Sequence, residues 1–362
     1  MTTREEHVVH LANSNIPPSP EARGIYRLPI ELLDLVLHNL REDKPTILAC
    51  SQVSRLWHEV ALRHLFAFLK IASRSDFVEF RTFLHANADI ARHVRKLELK
   101  RAQTSFMGHY KPQDKLPAIG RAELRDLVAP LPRLQELHLH ELYLIDSPTP
   151  APTVTDDLPD RTLEKLTFER CRARAPGRNT PLATILNLVS VFASVGTLEL
   201  VSMRTPSFMP SRLIRTVRVR TVVTRDISLP NNSVTELYTA LRGSLVPGYL
   251  RSLDLGCAGD PTARYPGSFG QLVHSAARRA LHIHILLFMS IPLGRLEHEP
   301  RYWHKLNLHA CTSLRSLALE ISVPPVRPGA DTMHTPHVPL ARVCVALLTH
   351  IPPTVRILTL KL

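Results

Sequence analysis

The residues of this chain whose types could do chemistry are its nineteen histidines, its five cysteines and a local excess of arginine. Nearest to a metal-ligand set are Glu136, His138 and His140, alternate residues of one stretch. An extended backbone puts them on one face but holds the side chains well apart, and no fourth ligand accompanies them. His282 and His284 have no cysteine or acidic residue at ligand spacing and read as surface or core histidines. Cys50, Cys257, Cys311 and Cys344 sit beside apolar residues and read as small buried side chains. The sequence holds no Gly-x-x-x-x-Gly-Lys-Ser/Thr loop, no Gly-x-Ser-x-Gly elbow and no His-Glu-x-x-His helix. The expectation is a protein that is not an enzyme, with no catalytic residue, no metal and no cofactor. The arginines Arg215, Arg218 and Arg220 lie close to Arg204, Arg212 and Arg225. Guanidinium forks suit carboxylate and phosphate, so Arg215, Arg218 and Arg220 are the candidate contacts to an acidic or phosphorylated target segment. A solvated strand face is the plainer alternative.

The bulk properties narrow the classes. The formal charge is +13 and the pI near 9.9. The basic residues are dispersed, with no Lys/Arg block of five, no zinc-finger spacing and no RNP-like aromatic motif, which argues against a nucleic-acid partner. Gly267-Ser268-Phe269-Gly270 reads as a turn after Pro266. Hydrophobic residues make up 44% of the chain, enough for a large core. The longest apolar run, Ile283 to Ile291, contains His284 and Ser290 and is too short to span a bilayer. The first residues carry no apolar signal region, and an odd number of cysteines without a Cys-x-x-Cys pair fits a reducing compartment. An intracellular protein, cytoplasmic and/or nuclear and without a membrane partner, is expected.

The elements that would position any site fall into two parts. In the first, apolar residues at 28, 32, 33, 36, 37 and 40 stripe one face of a helix that Pro29 begins. The Arg41-Glu42-Asp43-Lys44-Pro45 break ends it. A second short helical pattern passes through Ile47, Leu48 and Val53. Ser54 is placed to cap a third, carrying Leu56, Trp57, Val60, Ala61, Leu65 and Phe66. Three short helices make a small core with apolar residues to spare.

Leu28-Pro29-Ile30-Glu31-Leu32, Val36, Leu40, Cys50, Val53, Ser54, Arg55 and Trp57 resemble an F-box over roughly 45 residues. The resemblance implies docking on the Skp-family linker subunit of a cullin–RING (SCF-type) ubiquitin ligase. By that resemblance Leu28, Pro29, Ile30, Leu32, Leu33, Val36 and Trp57 would be linker-docking or module-core residues. An N-terminal helical cap on a repeat domain is the alternative.

From His93 onward one frame recurs: apolar, two positions free, apolar, one free, apolar. It occurs at Val94/Leu97/Leu99, Leu134/Leu137/Leu139, Leu163/Leu166/Phe168 and Val195/Leu198/Leu200, then at Ile214/Val217/Val219, Leu250/Leu253/Leu255, Leu314/Leu317/Leu319 and Val355/Leu358/Leu360. A degenerate copy sits at Val234/Leu237, and a hidden one is expected near Leu281 to Ile285. Each frame predicts a short strand, with helical stretches between, such as 121–128 and 181–192. The frame resembles the leucine-rich repeat. Its irregular period, and the presence of the expected Asn or Cys only as Cys171, imply an irregular arc-shaped solenoid. Long loops are expected at 102–119, 146–160, 172–180 and 324–338.

The expected class is α/β: a three-helix F-box-like module, then an irregular leucine-rich-repeat-like solenoid with a parallel sheet. The expected division is a flexible tail at 1–24, the module at 25–70, a linking helix at 71–92 and the solenoid at 93–362. No polar capping unit follows the last frame before Lys361-Leu362. The two parts together resemble F-box proteins with degenerate leucine-rich repeats, of the fungal F-box-like type. The function implied is a substrate-recognition adaptor, one end on the ligase and the strand face on an unknown target protein. The alternative is a repeat scaffold for protein or nucleic acid with no ligase connection.

Overall fold

The computed structural model describes residues 28–102, 117–145, 161–174, 181–203, 216–228, 241–246, 248–258, 272–274, 280–288, 308–322, 345 and 348–361. The expected tail at 1–24, most of the four expected loops, the copy at Val234/Leu237, the turn at 267–270, Cys344 and Arg215 lie outside them. The chain divides into two units, Met1–Leu65 and Phe66–Leu362.

The first unit holds three helices, α1 (Ile30–Asn39), α2 (Lys44–Cys50) and α3 (Arg55–Phe66). Pro29 precedes α1, and its carbonyl accepts the N–H groups of Leu32 and Leu33. Leu40 closes α1, its N–H donating back to the Val36 and Leu37 carbonyls. Pro45 does not end α1 but lies in the first turn of α2, where a missing N–H leaves nothing unpaired. Asp43 caps α2: Thr46 N–H donates to Oδ1 at 3.2 Å and Thr46 Oγ1 to Oδ2 at 2.6 Å. These two bonds, the side-chain one foremost, hold the Asp43 carboxyl below its usual range. Ser54 Oγ accepts the Trp57 N–H at 3.3 Å, the cap expected for α3. Leu33, Leu37, Ile47, Trp57, Val60 and Ala61 form the unit's core.

In the second unit the elements run β1 (Phe68–Ser73), α4 (Val78–Ala86), α5 (Ala88–Ala91), β2 (Lys96–Arg101), β3 (Ala118–Gly120), α6 (Arg121–Val128), β4 (Glu136–His140), β5 (Tyr143–Ile145), β6 (Thr162–Glu169) and β7 (Arg172–Arg174). They continue as α7 (Pro181–Val189), β8 (Ser194–Val201), β9 (Arg218–Ser228), β10 (Ser252–Ala258), β11 (His282–Phe288), a 3₁₀ turn at Leu308–Ala310, β12 (Ser316–Ser322) and β13 (Ile357–Lys361). Ten strands make one sheet in the order β1-β2-β4-β6-β8-β9-β10-β11-β12-β13, which is chain order, and every pairing is parallel. Short β3, β5 and β7 form a second parallel sheet. Parallel neighbours in chain order require each connection to cross back the same way, so apolar residues of successive units fall into columns. Leu97, Leu137, Leu166, Leu198, Val222, Leu253, Ile283 and Leu317 are one such buried column.

Two placements differ from the frames read in the sequence. β1, in the stretch expected to lead into a linking helix, joins the sheet beside β2. In β9 the core column passes through Val222 and Thr224, which pair with Leu198 and Leu200, and not through Val217 and Val219. The hidden copy near residue 283 is β11. At the ends of three strands the chain turns through a left-handed residue: Glu141 (φ 53°), Arg170 (φ 51°) and Ser202 (φ 50°). Each precedes a buried residue, Leu142, Cys171 or Met203. The buried Cys171 Sγ donates to the Leu139 carbonyl at 3.2 Å, and burial pushes its thiol up to about 12.

Candidate protein-docking site

In α1 the apolar residues split into two faces. Leu33 and Leu37, one turn apart, are fully buried in the unit's own core. Leu32, Leu35 and Val36 stand at i, i+3 and i+4, so they are neighbours on another face. Leu32 is 46% exposed and its sequence neighbour Leu33 is 0% exposed. Leu28, Pro29 and Ile30 before and at the start of α1 are exposed too, as are Leu48 of α2, Val53 between α2 and α3, and Leu56 of α3. So many exposed large apolar side chains in a three-helix unit mark an interaction surface.

The expected docking residues thus separate. Leu28, Pro29, Ile30, Leu32 and Val36 are exposed, whereas Leu33 and Trp57 lie inside. Of the two roles the resemblance allows, docking or module core, Leu33 and Trp57 have the second, since their side chains fill the core of the unit. The indole Nε1 of Trp57 is buried and has no hydrogen-bond partner among the described residues. Leu35, Leu48, Val53 and Leu56 were not named from the sequence as docking residues. Only a three-dimensional placement tells them from the core positions beside them. His64 Nε2 lies 3.0 Å from Asp34 Oδ1, tying α3 to α1.

The second unit presents the polar face of its ten-stranded sheet. Register aligns the free strand positions into three rows. The middle row runs Lys70, Glu98, His138, Thr167, Glu199, Val223, Asp254, His284, Ala318 and Thr359. Ion pairs cross from strand to strand: Lys70–Glu98 at 2.7 Å, Lys96–Glu136 at 2.9 Å, Lys165–Glu199 at 2.7 Å and Arg225–Asp254 at 3.6 Å. Glu136, His138 and His140 do not converge, since Lys96 holds Glu136 and Glu169 holds His138 at 3.0 Å. Desolvation lowers the His138 pKa, against the opposing pull of Glu169 and Glu98. Glu199 is held low although desolvation opposes it, because Lys165 and Thr167 bond its carboxylate. His284, without an acidic residue near it in sequence, gains two from adjacent strands: Asp254 at 2.8 Å and Glu320 at 3.7 Å. The carboxylates come from 30 or more residues away, so no local spacing could have shown them.

Arg218 and Arg220 are exposed at the entry of β9. Arg218 is level with Ser194, so both precede the three rows, which enter β9 at Thr221. No described helix is long and apolar enough to cross a membrane.

Two comparisons bear on the first unit. No curated protein matches the chain. The F-box-like family model matches residues 25–70, which span the three helices and their exposed apolar face, and this supports an F-box protein.

Proposed function

We propose that this chain is the target-recognition adaptor of an SCF-type ubiquitin ligase. The observation that carries the reading is the exposed apolar face of α1, within the segment that the F-box-like model matches. A unit of this size does not leave eight large apolar residues in water without a partner to cover them. The Skp-family linker subunit is that partner, and Leu28, Pro29, Ile30, Leu32 and Val36 supply the contact. On the same reading the second unit is a leucine-rich-repeat-like solenoid, and its polar sheet face presents a target protein. Ten parallel strands in chain order, with matched register, support this. The chain itself then performs no chemistry and works inside the cell, with the transfer of ubiquitin left to the ligase.

Capture of the purified chain on the immobilised linker subunit tests the proposal. Wild type should be retained, and the Leu28→Ala/Pro29→Ala double variant should be lost. No retention of wild type would leave a repeat scaffold without a ligase connection.

A further inference from the structure

One position in each strand unit lies just before the three rows, and the backbone joins these positions into a line across the sheet. In the second half of the sheet Arg251 N–H donates to the Arg220 carbonyl at 2.7 Å, and Leu281 N–H to the Arg251 carbonyl at 2.8 Å. Arg315 N–H donates to the Leu281 carbonyl at 2.9 Å, and Arg356 N–H to the Arg315 carbonyl at 2.8 Å. Four of these five positions are therefore arginine, on strands next to or near one another. Arg220, Arg315 and Arg356 are exposed, Arg251 is half-buried, and Arg218 adds a fifth guanidinium at the β9 end. The sequence scatters these residues over about 140 positions, so only the register reveals the line.

The line is basic without compensation. The row beside it reads Thr221, Ser252, His282, Ser316 and Ile357, with no carboxylate. No ion pair joins Arg218, Arg220, Arg251, Arg315 or Arg356 to a carboxylate among the described residues. The first half of the sheet differs. There the same positions are Arg95, Gln135, Glu164 and Gly196, a mixed set. Lys70, Lys96, Lys165 and Arg225 on the sheet face proper are each paired across strands, Arg225 with Asp254. Arg220, Arg251, Arg315 and Arg356 thus form one basic line on β9 to β13 with no carboxylate partner among the described residues.

We propose that this line of arginines binds an extended, carboxylate-rich segment of the target protein. The proposal rests on the reading of the second unit as the target-presenting part, and it names the class of target. Guanidinium groups bond carboxylates through paired N–H donors and stay charged at every physiological pH. Five strands at about 4.8 Å spacing give a line about 19 Å long, the length of about six extended residues. The line is one residue wide. Asp254 and Glu320 lie three and five residues beyond it along their strands and would repel a broad polyanion. Nearby, Tyr249 is one exposed aromatic, where a single-stranded nucleic acid needs a series of stacking platforms. A thin acidic peptide fits these limits and a nucleic acid does not.

The test uses the full chain and a fluorescein-labelled twelve-residue peptide of alternating Glu and Ser. Its Gln/Ser counterpart and a twelve-nucleotide single strand are the comparison probes. Fluorescence anisotropy should show binding of the acidic peptide alone, weakening steeply with salt. Arg251→Gln/Arg315→Gln should weaken it by about tenfold or more, a loss of about one bidentate contact. Arg95→Gln, on the same line but in its mixed half, should leave it unchanged. Equal binding by the double variant, no binding of the acidic peptide, or tighter binding of the oligonucleotide would each overturn the proposal. Linker capture measured on the same preparations separates the two readings. Capture without peptide binding defeats the arginine line alone, and peptide binding without capture defeats the ligase connection alone.

Discussion

Gly196 offers a stringent check on the way the sheet is packed. It lies in β8 between Val195 and Thr197, whose register partners are Leu163 and Lys165, so its neighbour across the pair is Glu164. A Cβ on Gly196 would lie 2.5 Å from the Glu164 carbonyl oxygen and 3.3 Å from the carbonyl carbon. Ordinary contact begins near 3.4 Å, so the backbones would have to part by close to 0.9 Å. Both are hydrogen-bonded strands of one sheet, and neither can yield as a flexible side chain would. Overpacking of this kind costs about 1–3 kcal/mol. The reduced freedom of the unfolded chain returns about 0.4–1 kcal/mol. A net loss of about 1–2 kcal/mol should lower the melting temperature of the second unit by about 2–8 °C. Gly243→Ala is the matched control, because a Cβ there meets nothing within 4 Å and the residue is helical. It should be neutral or mildly stabilising. Both variants are read by differential scanning calorimetry of the full chain. A Gly196→Ala melt equal to wild type, or a Gly243→Ala melt lower than that of Gly196→Ala, would refute the close approach of β6 and β8.

Other expectations follow from single contacts. Thr224 stands in a core column, 1% exposed, and its hydroxyl has no partner among the described residues. Thr224→Val should therefore stabilise the second unit by about 1 kcal/mol, seen as a higher denaturant midpoint. His138 disfavours its charged form in the folded chain because burial between β2 and β6 outweighs Glu169 and Glu98, with His140 adding to the effect. A base with a lowered folded pKa takes up its proton more readily when unfolded, so its contribution is lost as pH falls below about 6.5. Between pH 7.5 and 5.5 wild type should lose more stability than His138→Gln, and equal losses would contradict this. Cys171 and Cys311, both buried with thiols pushed up to about 12, should resist a maleimide in the native chain, whereas partly exposed Cys50 should react.

What the sequence made legible follows from what local periodicity can encode. The apolar frames placed most strands of the ten-stranded sheet because a buried alternate residue repeats in every unit, whereas the short β3, β5 and β7 carry no such frame. β9 escaped for a physical reason. Thr224 occupies an apolar column, so the true frame looks broken, while Val217 and Val219 upstream imitate one. β1 escaped because its burial alternates only between exposed and half-buried, as at a sheet edge. In the first unit the helices and the cap at Ser54 could be read. The division of α1 into Leu33 inside and Leu32 outside could not. Both are leucines one residue apart, and only the position of α3 decides which faces it. The arginine line and the acidic partners of His284 were beyond reach for the same reason, since both arise between strands far apart in the chain.

The central claim is that α1 keeps one apolar face for its own unit and another for the linker subunit. Isothermal titration of the linker subunit into the full chain, beside chemical unfolding of the same samples, tests it most directly. Leu32→Ala/Val36→Ala should weaken binding by about a hundredfold with little change in stability, as loss of two buried interface anchors would. Leu33→Ala should instead destabilise the first unit by about 2–5 kcal/mol. Full-strength binding by Leu32→Ala/Val36→Ala, or no binding by wild type, would contradict the account.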